Sequence, residues 1–291
     1  MSWLITGSNG QLGKAFHRAL FDQKNICFVD RTNCDLSDST SLANCLQREK
    51  PKVIVNCAAY TAVDAAEDDE QTAMRVNALA VGEMARWSAD NGALMVHFST
   101  DYVFDGSSED AYRESDTVNP LTAYGRSKAA GEELLFNAGG AALCLRTSWV
   151  HSNEGHNFLR TMRRLISEQN KLGVVNDQFG VPTTTDFLVK MTRQLIANFS
   201  KSKSGMPQLI HAVPTGHTSW FGFARHIREM LAVNKETTSL AEVYAIPSED
   251  FPQRAKRPAN SILSNQLLES LLGEQVGTWQ EWHNKLMEGD E

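Results

Sequence analysis

The sequence of 291 residues predicts an α/β protein that contains a doubly wound parallel sheet. Three observations predict this fold class. Short apolar runs alternate with helical patterns through about residue 150, which favours parallel strands covered by helices on both faces. A glycine-rich turn follows the first apolar run directly. Beyond residue 150 the alternation becomes less regular, so this part is expected to be a different kind of unit.

The first strand and the turn after it predict a nucleotide site. Trp3–Ile5 is the apolar run, and Thr6–Gly13 has the spacing G-x-x-G-x-x-G before an amphipathic pattern. Glycines here permit a tight turn that brings backbone N–H groups to a pyrophosphate at the helix N-terminus. A second strand, Ile26–Val29, leads into Asp30, twenty residues after Gly10, where a carboxylate can bind an adenosine ribose. The segment therefore indicates a Rossmann-type dinucleotide site.

The rest of the first half completes the predicted sheet. Apolar residues at helical spacing predict a helix over 67–90. Three further strands are predicted, at Val53–Cys57, Leu94–Phe98 and Ala142–Leu145. The C-terminal ends of parallel strands share one edge of a sheet, so the motifs that follow these strands are expected to meet there.

The second half is predicted to be mainly helical with irregular connections. Helical patterns occur near 157–168, 185–197 and 219–232, and a solvated loop is predicted at 201–205. Residues 173–185 and 246–258 contain Pro and Gly and are expected to be irregular segments that line a cleft.

A tyrosine, a lysine and a threonine predict the chemistry. Tyr124 and Lys128 are four residues apart in a helical pattern, so their side chains share one face. An ammonium beside a phenol lowers the phenol pKa, which lets it exchange protons near neutral pH. Thr100 follows the fourth strand and presents a hydroxyl that could bind the reacting oxygen. This set suits carbonyl reduction beside a hydride donor.

Composition excludes several other classes. The net charge of −7 argues against a protein built to neutralise nucleic-acid phosphates. The five cysteines form no C-x-x-C pair or Cys/His cluster, and the eight histidines have no zinc-like spacing, so no metal or redox centre is expected. His97 alternates with apolar residues and is predicted to be a buried, hydrogen-bonded histidine. No secretory leader or membrane-spanning run is recognised, which predicts a cytoplasmic protein without a membrane partner.

Together these motifs resemble the extended short-chain dehydrogenases/reductases and, within them, the dTDP-4-dehydrorhamnose reductase family. The glycine turn and the Tyr/Lys pair are typical of the whole superfamily, whereas His97–Phe104, Arg146–Val150 and Asn176–Thr183 resemble the narrower family. The likeness covers nearly the whole chain. It implies a Rossmann-type doubly wound parallel sheet with a smaller, partly interleaved C-terminal substrate lobe. The implied dinucleotide-binding domain is 1–150, and the implied substrate-binding lobe is 151–291, with segments that return to the nucleotide domain.

The resemblance also implies an activity, namely reduction of the C4 keto group of dTDP-4-dehydro-L-rhamnose to dTDP-L-rhamnose by NADH or NADPH. Tyr124 would be the proton donor, Lys128 would hydrogen-bond the nicotinamide ribose, and Thr100 would orient the sugar carbonyl. The product would serve cell-surface polysaccharide biosynthesis. The expected partner is the nucleotide-sugar substrate, with no nucleic acid, and whether the chain forms a homodimer stays open.

Two sets of binding residues follow from the resemblance. Besides Tyr124 and Lys128, the residues expected to bind the coenzyme are Gly7, Asn9, Gly10, Gln11, Leu12, Gly13, Asp30, Arg31, Asp35, Leu36, Ala59, Tyr60 and Thr61. The residues expected to bind the substrate are Thr100, Asp101, Tyr102, Trp149 and Arg257.

Two of these substrate residues each have two possible roles. Trp149, at the end of the strand from Ala142, is expected to pack on the deoxyhexose or to shape its pocket, or else to be a core tryptophan. Arg257 suits a diphosphate, although the sequence does not separate it from a structural ion pair.

Charged residues after the second strand and on the first helix bear on coenzyme preference and metal binding. Asp30 favours a free ribose 2′-hydroxyl, while Arg31 could bind a 2′-phosphate, so dual use is expected. Some members of the family carry a carboxylate of a magnesium site on the first helix. Lys14 and Ala15 occupy that region here, so no such metal is predicted.

Two other functions stay open from the sequence. A nucleotide-sugar epimerase or dehydratase on the same scaffold would keep its nicotinamide tightly bound and recycle it. A cofactor-binding regulatory protein, such as the regulatory subunit of methionine adenosyltransferase, resembles the same family and acts through a partner.

Overall fold

The structure, a computed structural model, describes residues 2–201, 208–233 and 240–289. The strands in these ranges are β1 (Trp3–Thr6), β2 (Ile26–Phe28), β3 (Val53–Asn56), β4 (Leu94–Thr100), β5 (Ala142–Thr147), β6 (Val150–His151), β7 (Lys171–Val175), β8 (Phe179–Gly180), β9 (Thr183–Thr184), β10 (Leu209–His211), β11 (Thr218–Ser219) and β12 (Glu242–Ile246). The helices are α1 (Gln11–Leu20), α2 (Ser39–Glu49), α3 (Val63–Ala66), α4 (Glu70–Met74), α5 (Ala80–Asn91), α6 (Ala123–Asn137), α7 (Phe158–Glu168), α8 (Thr185–Lys201), α9 (Trp220–Val233), α10 (Gln266–Leu272) and α11 (Trp279–Glu288). Short turns of other helical types lie at Arg75–Leu79 (π) and at Asp101–Val103 and Ser248–Asp250 (3₁₀).

The main sheet has six parallel strands in the order β10-β5-β4-β3-β1-β2. The chain winds in one direction from β1 to β2 and in the other from β3 to β5, so the reversal lies between β1 and β3. Ligands of open α/β sheets bind outside the carboxyl ends of the strands at such a reversal. The predicted doubly wound sheet is therefore confirmed, and its topology locates the expected site.

Helices cover both faces of this sheet because side chains alternate along each strand. Ile5 and Val96 face a cluster with Phe16 of α1 and Leu195 of α8. Their neighbours Leu4 and Met95 face the opposite cluster, which includes apolar residues of α2, α5 and α6. The strands are buried on both faces, which explains why their sequences are continuous apolar runs.

The second half of the chain builds a separate apolar cluster. Helices α7, α9 and α11 contribute Leu159, Phe223 and Leu286, among others. Three two-stranded sheets accompany these helices, namely parallel β6–β9, parallel β7–β12 and antiparallel β8–β11. However, β10 leaves this part and pairs with β5 in the main sheet, with Ile210 opposite Leu145. The boundary near residue 150 stays a prediction.

The helix predicted over 67–90 is wrong in its first part. Residues 67–69 are not helical, α4 starts after the N-cap Asp69, and the π turn separates α4 from α5. A π turn holds one more residue than an α turn. Here it contains the buried Asn77, whose side chain accepts a hydrogen bond from Tyr60 N (2.8 Å) and donates one to Tyr60 O (3.0 Å). These tertiary hydrogen bonds are invisible to a hydrophobic pattern.

The segment predicted to be irregular over 173–185 is also partly wrong, because β7 extends to Val175 and β8 and β9 follow. The segment over 246–258 holds one 3₁₀ turn and no strand beyond Ile246. The loop predicted at 201–205 lies, apart from the helical Lys201, outside the described residues. Within the described ranges, no helix is both long enough and apolar enough to cross a membrane.

Candidate active site

A cleft of about 1060 Å³ opens at the carboxyl ends of the main-sheet strands. Its walls come from the sheet edge, from α6 and from the second half of the chain. All residues predicted to bind coenzyme or substrate line this cleft except Gly13. The structure thus brings together side chains separated by up to 250 positions in the sequence, from Gly7 to Arg257.

The glycine turn forms a close backbone cradle at one end of the cleft. Gly7 has φ +66°, and a Cβ atom there would lie 2.8 Å from the Ala58 backbone. Gly10 caps α1, whose first turn has neither a side-chain cap nor an acidic residue. The helix N-terminus therefore keeps its N–H groups and positive end for an anion, which fits a pyrophosphate.

Gly13 differs from the other predicted coenzyme residues. It is buried, and a Cβ there would lie 2.2 Å from the Gly7 carbonyl oxygen. Its small size lets α1 pack tightly on the turn, so it supports the cradle from behind and does not line the cleft. Gln11 lines the cleft, but its side-chain oxygen accepts hydrogen bonds from Ser152 (3.0 Å) and Asn157 (2.6 Å). It joins the cradle to the second half of the chain.

The end of β2 presents the predicted ribose-binding groups. Asp30 accepts hydrogen bonds from the Asn9 side chain (2.5 Å) and from the hydroxyl (2.6 Å) and N–H (2.9 Å) of Thr32. The Thr32 bonds are the largest influence that holds the Asp30 pKa below its usual value, so the group is a carboxylate. Arg31 is 81% exposed and pairs with Asp35 at 3.3 Å. The two charged residues expected to determine coenzyme preference, Asp30 and Arg31, therefore lie at the same end of the cleft.

Tyr124 lies in the first turn of α6, which is fixed by its N-cap. The Thr122 hydroxyl oxygen accepts a hydrogen bond from Gly125 N (2.9 Å). Burial raises the pKa of Tyr124 above its usual value, and the nearby charges of Asp101 and Tyr102 add to this, whereas the Thr100 hydroxyl opposes it. The phenol is consequently held in its protonated form and can act as an acid.

Lys128 is buried and contacts β4. Its Nζ atom donates to Phe98 O at 2.6 Å and lies 3.0 Å from His97 Nε2. Burial lowers the pKa of Lys128 to about 8. The expected lowering of the Tyr124 pKa by Lys128 is wrong for this structure, because desolvation of the phenol dominates and the lysine is bound to the strand.

His97 is buried and hydrogen-bonded, as predicted. Its Nδ1 atom lies 3.1 Å from the Asn56 side-chain nitrogen, and Asn56 Oδ1 accepts from the Thr6 hydroxyl at 2.6 Å. The strands β1, β3 and β4 thereby supply one connected polar chain that ends at Lys128.

Thr100 and Asp101 close the floor of the site. The Thr100 hydroxyl donates to Asp101 Oδ1 at 2.9 Å and accepts from Tyr102 N at 3.2 Å. Burial raises the pKa of Asp101 to about 6. The rings of Tyr102 and Tyr124 meet edge to face with centroids 5.7 Å apart. The hydroxyl, the carboxyl and the two phenols thus form one polar cluster.

The sequence predicted that Trp149 ends the strand that starts at Ala142, and this prediction is wrong. The strand β5 ends at Thr147, and Trp149 has φ +46° between β5 and β6. Its ring stacks on Trp220 with centroids 3.5 Å apart and an interplanar angle of 6°. A Cβ at Gly180 would lie 2.5 Å from this ring, so the indole lies directly on the β8 backbone. The left-handed turn is what aims the indole into the cleft.

Arg257 reaches the cleft while it forms an ion pair. Its Nη2 donates to Asp64 Oδ2 at 2.8 Å, and its Nη1 donates to the Tyr102 hydroxyl at 3.0 Å. The side chain is 13% exposed. Arg257 therefore forms the structural ion pair that the sequence allowed, and this ion pair holds its guanidinium at the cleft wall, where a diphosphate could bind.

Several cleft residues were not predicted from the sequence. They are mainly apolar or amide side chains from the second half, among them Asn157, Phe158, Gln178, Trp220 and Phe251. Trp220 begins a helix with ordinary amphipathic spacing, so nothing in its local pattern separates it from a core residue. A signal was available for Gln178 and Phe251, which lie within 173–185 and 246–258, the two segments expected to line a cleft.

The chain is similar to one group of known proteins along its whole length. A family model described as "RmlD substrate binding domain" matches residues 1–289. The dTDP-4-dehydrorhamnose reductase of Burkholderia thailandensis is 40% identical over 284 residues, which cover 96% of this chain and 95% of the relative. A crystal structure of a dTDP-4-dehydrorhamnose reductase from Clostridium acetobutylicum has a TM-score of 0.89 at 33% identity and covers 99% of both chains. A dTDP-4-dehydrorhamnose reductase from Bacillus anthracis, in complex with NADP, has the same TM-score and identity and covers 99% of this chain and 100% of its own.

Proposed function

The chain belongs to the dTDP-4-dehydrorhamnose reductase family, and we propose that it reduces the C4 keto group of dTDP-4-dehydro-L-rhamnose to give dTDP-L-rhamnose. The observation that carries this proposal is the partly buried phenol of Tyr124 beside the Thr100 hydroxyl, in the same cleft as the glycine cradle. An acid and a hydrogen-bonding hydroxyl are what a ketone needs when a hydride arrives from an adjacent coenzyme.

The cradle fits a nicotinamide dinucleotide, which supplies the hydride when bound. The α1 N-terminus and Gly7 would hold the pyrophosphate, and Asp30 would accept a hydrogen bond from the adenosine ribose. Arg31 is exposed beside Asp30 and offers a cation to a 2′-phosphate, although it also forms an ion pair with Asp35. We propose that both NADH and NADPH are accepted.

The proton chemistry is assigned to Tyr124 and Thr100. Tyr124 donates its phenolic proton to the C4 oxygen of the sugar as negative charge develops there. In this structure the Thr100 hydroxyl donates to Asp101 Oδ1 at 2.9 Å, and it would donate to the C4 oxygen instead when the sugar is bound. Lys128 supports the coenzyme end by its N–H groups, which β4 holds in place through Phe98.

The remaining walls suit a nucleotide sugar. The cleft of about 1060 Å³ lies at the upper end of the range of about 300–1,000 Å³ typical of ligand sites. Trp149 offers a flat apolar face to the deoxyhexose, and Arg257 offers a guanidinium to the diphosphate. The nucleotide would bind far from the reacting carbon, and its binding energy would position the sugar.

An assay of coenzyme oxidation tests this function. The purified chain with NADPH or NADH should consume the reduced coenzyme when dTDP-4-dehydro-L-rhamnose is added, with dTDP-L-rhamnose as product. Tight retention of oxidised coenzyme through purification, with no net oxidation, would support the epimerase or dehydratase alternative. Coenzyme binding without any turnover would support the regulatory alternative. The cytoplasmic location, a homodimer and the lack of a metal stay predictions.

A further inference from the structure

A pair of buried histidines outside the cleft is connected to Trp149. His151 in β6 and His283 in α11 are 1% and 0% exposed. Nδ1 of His151 lies 3.1 Å from the Trp149 carbonyl oxygen, and its Nε2 lies 3.2 Å from Nδ1 of His283. Neither histidine lines the cleft, and the mechanism above uses neither of them.

The carbonyl fixes the tautomers of both rings. A carbonyl oxygen only accepts, so Nδ1 of His151 must carry the proton. A neutral imidazole then has an accepting Nε2, so the neighbouring Nδ1 of His283 must also carry a proton. The last nitrogen in this hydrogen-bonded series, Nε2 of His283, is buried and has no hydrogen-bond partner among the described residues. This arrangement assigns all four ring nitrogens with both imidazoles neutral.

Both rings are kept neutral by their surroundings. Phe223 of α9 and Trp279 of α11 enclose the pair with His226, and the His226 and His283 centroids are 5.2 Å apart. Burial lowers the pKa of His151 to about 4. Burial lowers the pKa of His283 to about 2, and the neighbouring His151, His226 and Arg163 side chains further disfavour its protonation. The two rings therefore keep one arrangement throughout the neutral range.

Trp149 needs such support because its backbone is in a left-handed conformation, φ +46°. This conformation is unfavourable for a residue other than glycine, because its Cβ atom comes too close to the backbone. Its carbonyl accepts from Thr183 N at a longer 3.3 Å as well as from His151. The peptide that turns the indole into the cleft is thus held from the side of the histidine pair.

We infer that His151 is a positioning residue for the sugar end of the cleft, since its Nδ1–H holds the Trp149 carbonyl while His283 fixes its tautomer. The inference rests on the proposed function, because that function places Trp149 against the sugar. It adds a role for the C-terminal helix α11, which supplies His283 from outside the cleft.

Two substitutions of His151 separate the two hydrogen bonds. His151→Asn places an amide N–H near the former Nδ1 and can still donate to the Trp149 carbonyl. His151→Gln places its amide near the former Nε2, so it keeps the contact with His283 and loses the one with Trp149. We expect His151→Gln to raise KM for the dTDP-sugar about 3- to 10-fold, the effect of one lost hydrogen bond, while KM for the coenzyme stays unchanged. His151→Asn should stay near wild type.

A matched control comes from the same cluster. His226 packs on His283, but its Nε2 contacts Asn284 Oδ1 at 2.9 Å and it has no hydrogen bond to His151. His226→Gln should leave both KM values unchanged. Equal KM values for His151→Asn and His151→Gln, or a change in coenzyme KM of the same size, would overturn the inference.

A second measurement needs no turnover and so separates this inference from the proposed function. Long-range ¹⁵N–¹H spectra of histidine-labelled protein should show both His151 and His283 as Nδ1–H tautomers at neutral pH. The indole N–H resonance of Trp149, identified through Trp149→Phe, should shift in His151→Gln and not in His151→Asn. An Nε2–H tautomer for His151, or an unmoved indole resonance, would overturn the inference. An inactive wild type would overturn only the proposed function.

Discussion

Nζ of Lys128 and Nε2 of His97 lie 3.0 Å apart on the strand side of α6. This contact, with the 2.6 Å hydrogen bond to Phe98 O, places the lysine in a buried polar chain that starts at Thr6. We propose that this lysine acts on the coenzyme end of the site, and burial lowers its pKa to about 8.

The first prediction concerns this pH dependence. Burial lowers the Lys128 pKa to about 8, so the ammonium loses its proton, and with it a donor to the coenzyme, as pH rises through that value. The pH profile of kcat/KM should fall above pH 8 in the wild type. Lys128→Arg keeps its charge at all accessible pH values and should lose this inflection, even if its overall rate is lower. An unchanged inflection in the variant would assign it to another group.

Tyr124→Phe tests the proposed acid. The variant should bind coenzyme normally and lose about 10²–10⁴-fold in turnover, since a positioned acid contributes that much. Coenzyme titration by fluorescence and steady-state kinetics would measure the two effects. Tyr112→Phe is the control, because Tyr112 is a buried tyrosine that lies outside the cleft. Full turnover in a folded Tyr124→Phe protein would remove the phenol from the mechanism.

Asp30 and Arg31 are expected to change coenzyme preference in opposite directions. Asp30→Ala removes a carboxylate that repels the 2′-phosphate, so the ratio of kcat/KM should shift toward NADPH. Arg31→Ala removes the cation beside it and should shift the ratio toward NADH. Asn9, which donates to Asp30 at 2.5 Å, gives a milder comparison through Asn9→Ala. If neither charge changes the ratio, the adenosine ribose lies elsewhere.

Gly180→Ala tests the support of Trp149 without altering the indole. The new Cβ would lie 2.5 Å from the ring, so the ring must move. The KM for the dTDP-sugar should rise while coenzyme binding stays constant, and Trp149→Ala should have the same selectivity with a larger effect. Gly289→Ala, where a Cβ meets nothing closer than 3.5 Å, is the control. A loss of coenzyme affinity in Gly180→Ala would make Trp149 a core residue.

Four buried histidines predict acid sensitivity of the fold. Burial holds the pKa of His97, His151, His211 and His283 below the usual 6.5, to about 4 for His151 and about 3 for His211. As pH falls below 6.5, the histidines of the unfolded chain bind protons that those of the folded chain do not. The free energy of unfolding therefore decreases. Each such group can remove up to about 1.4 kcal/mol per pH unit.

Urea midpoints at about pH 7.5 and 5.5 would measure this loss. His211→Leu should reduce the difference between the two midpoints, because one titrating group is gone. His17→Asn, at an exposed position, should not change it. Equal midpoints at the two pH values in the wild type would contradict the prediction.

The strands and the location of the site could be predicted from the sequence because each depends on local signals. Parallel strands buried on both faces are short apolar runs, and Gly7 is required by one turn with positive φ. The Tyr124–Lys128 spacing is likewise a property of a single helix. These features are encoded within a few residues of where they act.

The rest depends on contacts between distant segments. The π turn around Asn77 is tied to Tyr60, and the left-handed Trp149 is fixed by Gly180 and Trp220, which come later in the chain. The predicted lowering of the Tyr124 pKa by Lys128 was wrong for the same reason. Tyr124 and Lys128 share a helix face, but burial is the largest cause of both pKa shifts, and Lys128 is bound to the carbonyl of Phe98.

The pairing of β10 with β5 has a consequence for how the chain can be assembled. Residues 209–211 complete the main sheet, so β5 keeps one row of N–H and C=O groups unpaired until the ribosome has delivered more than two thirds of the chain. An unpaired parallel strand invites association with other chains. Without residues 209–211 the first half of the chain would expose β5 as an open edge of the main sheet.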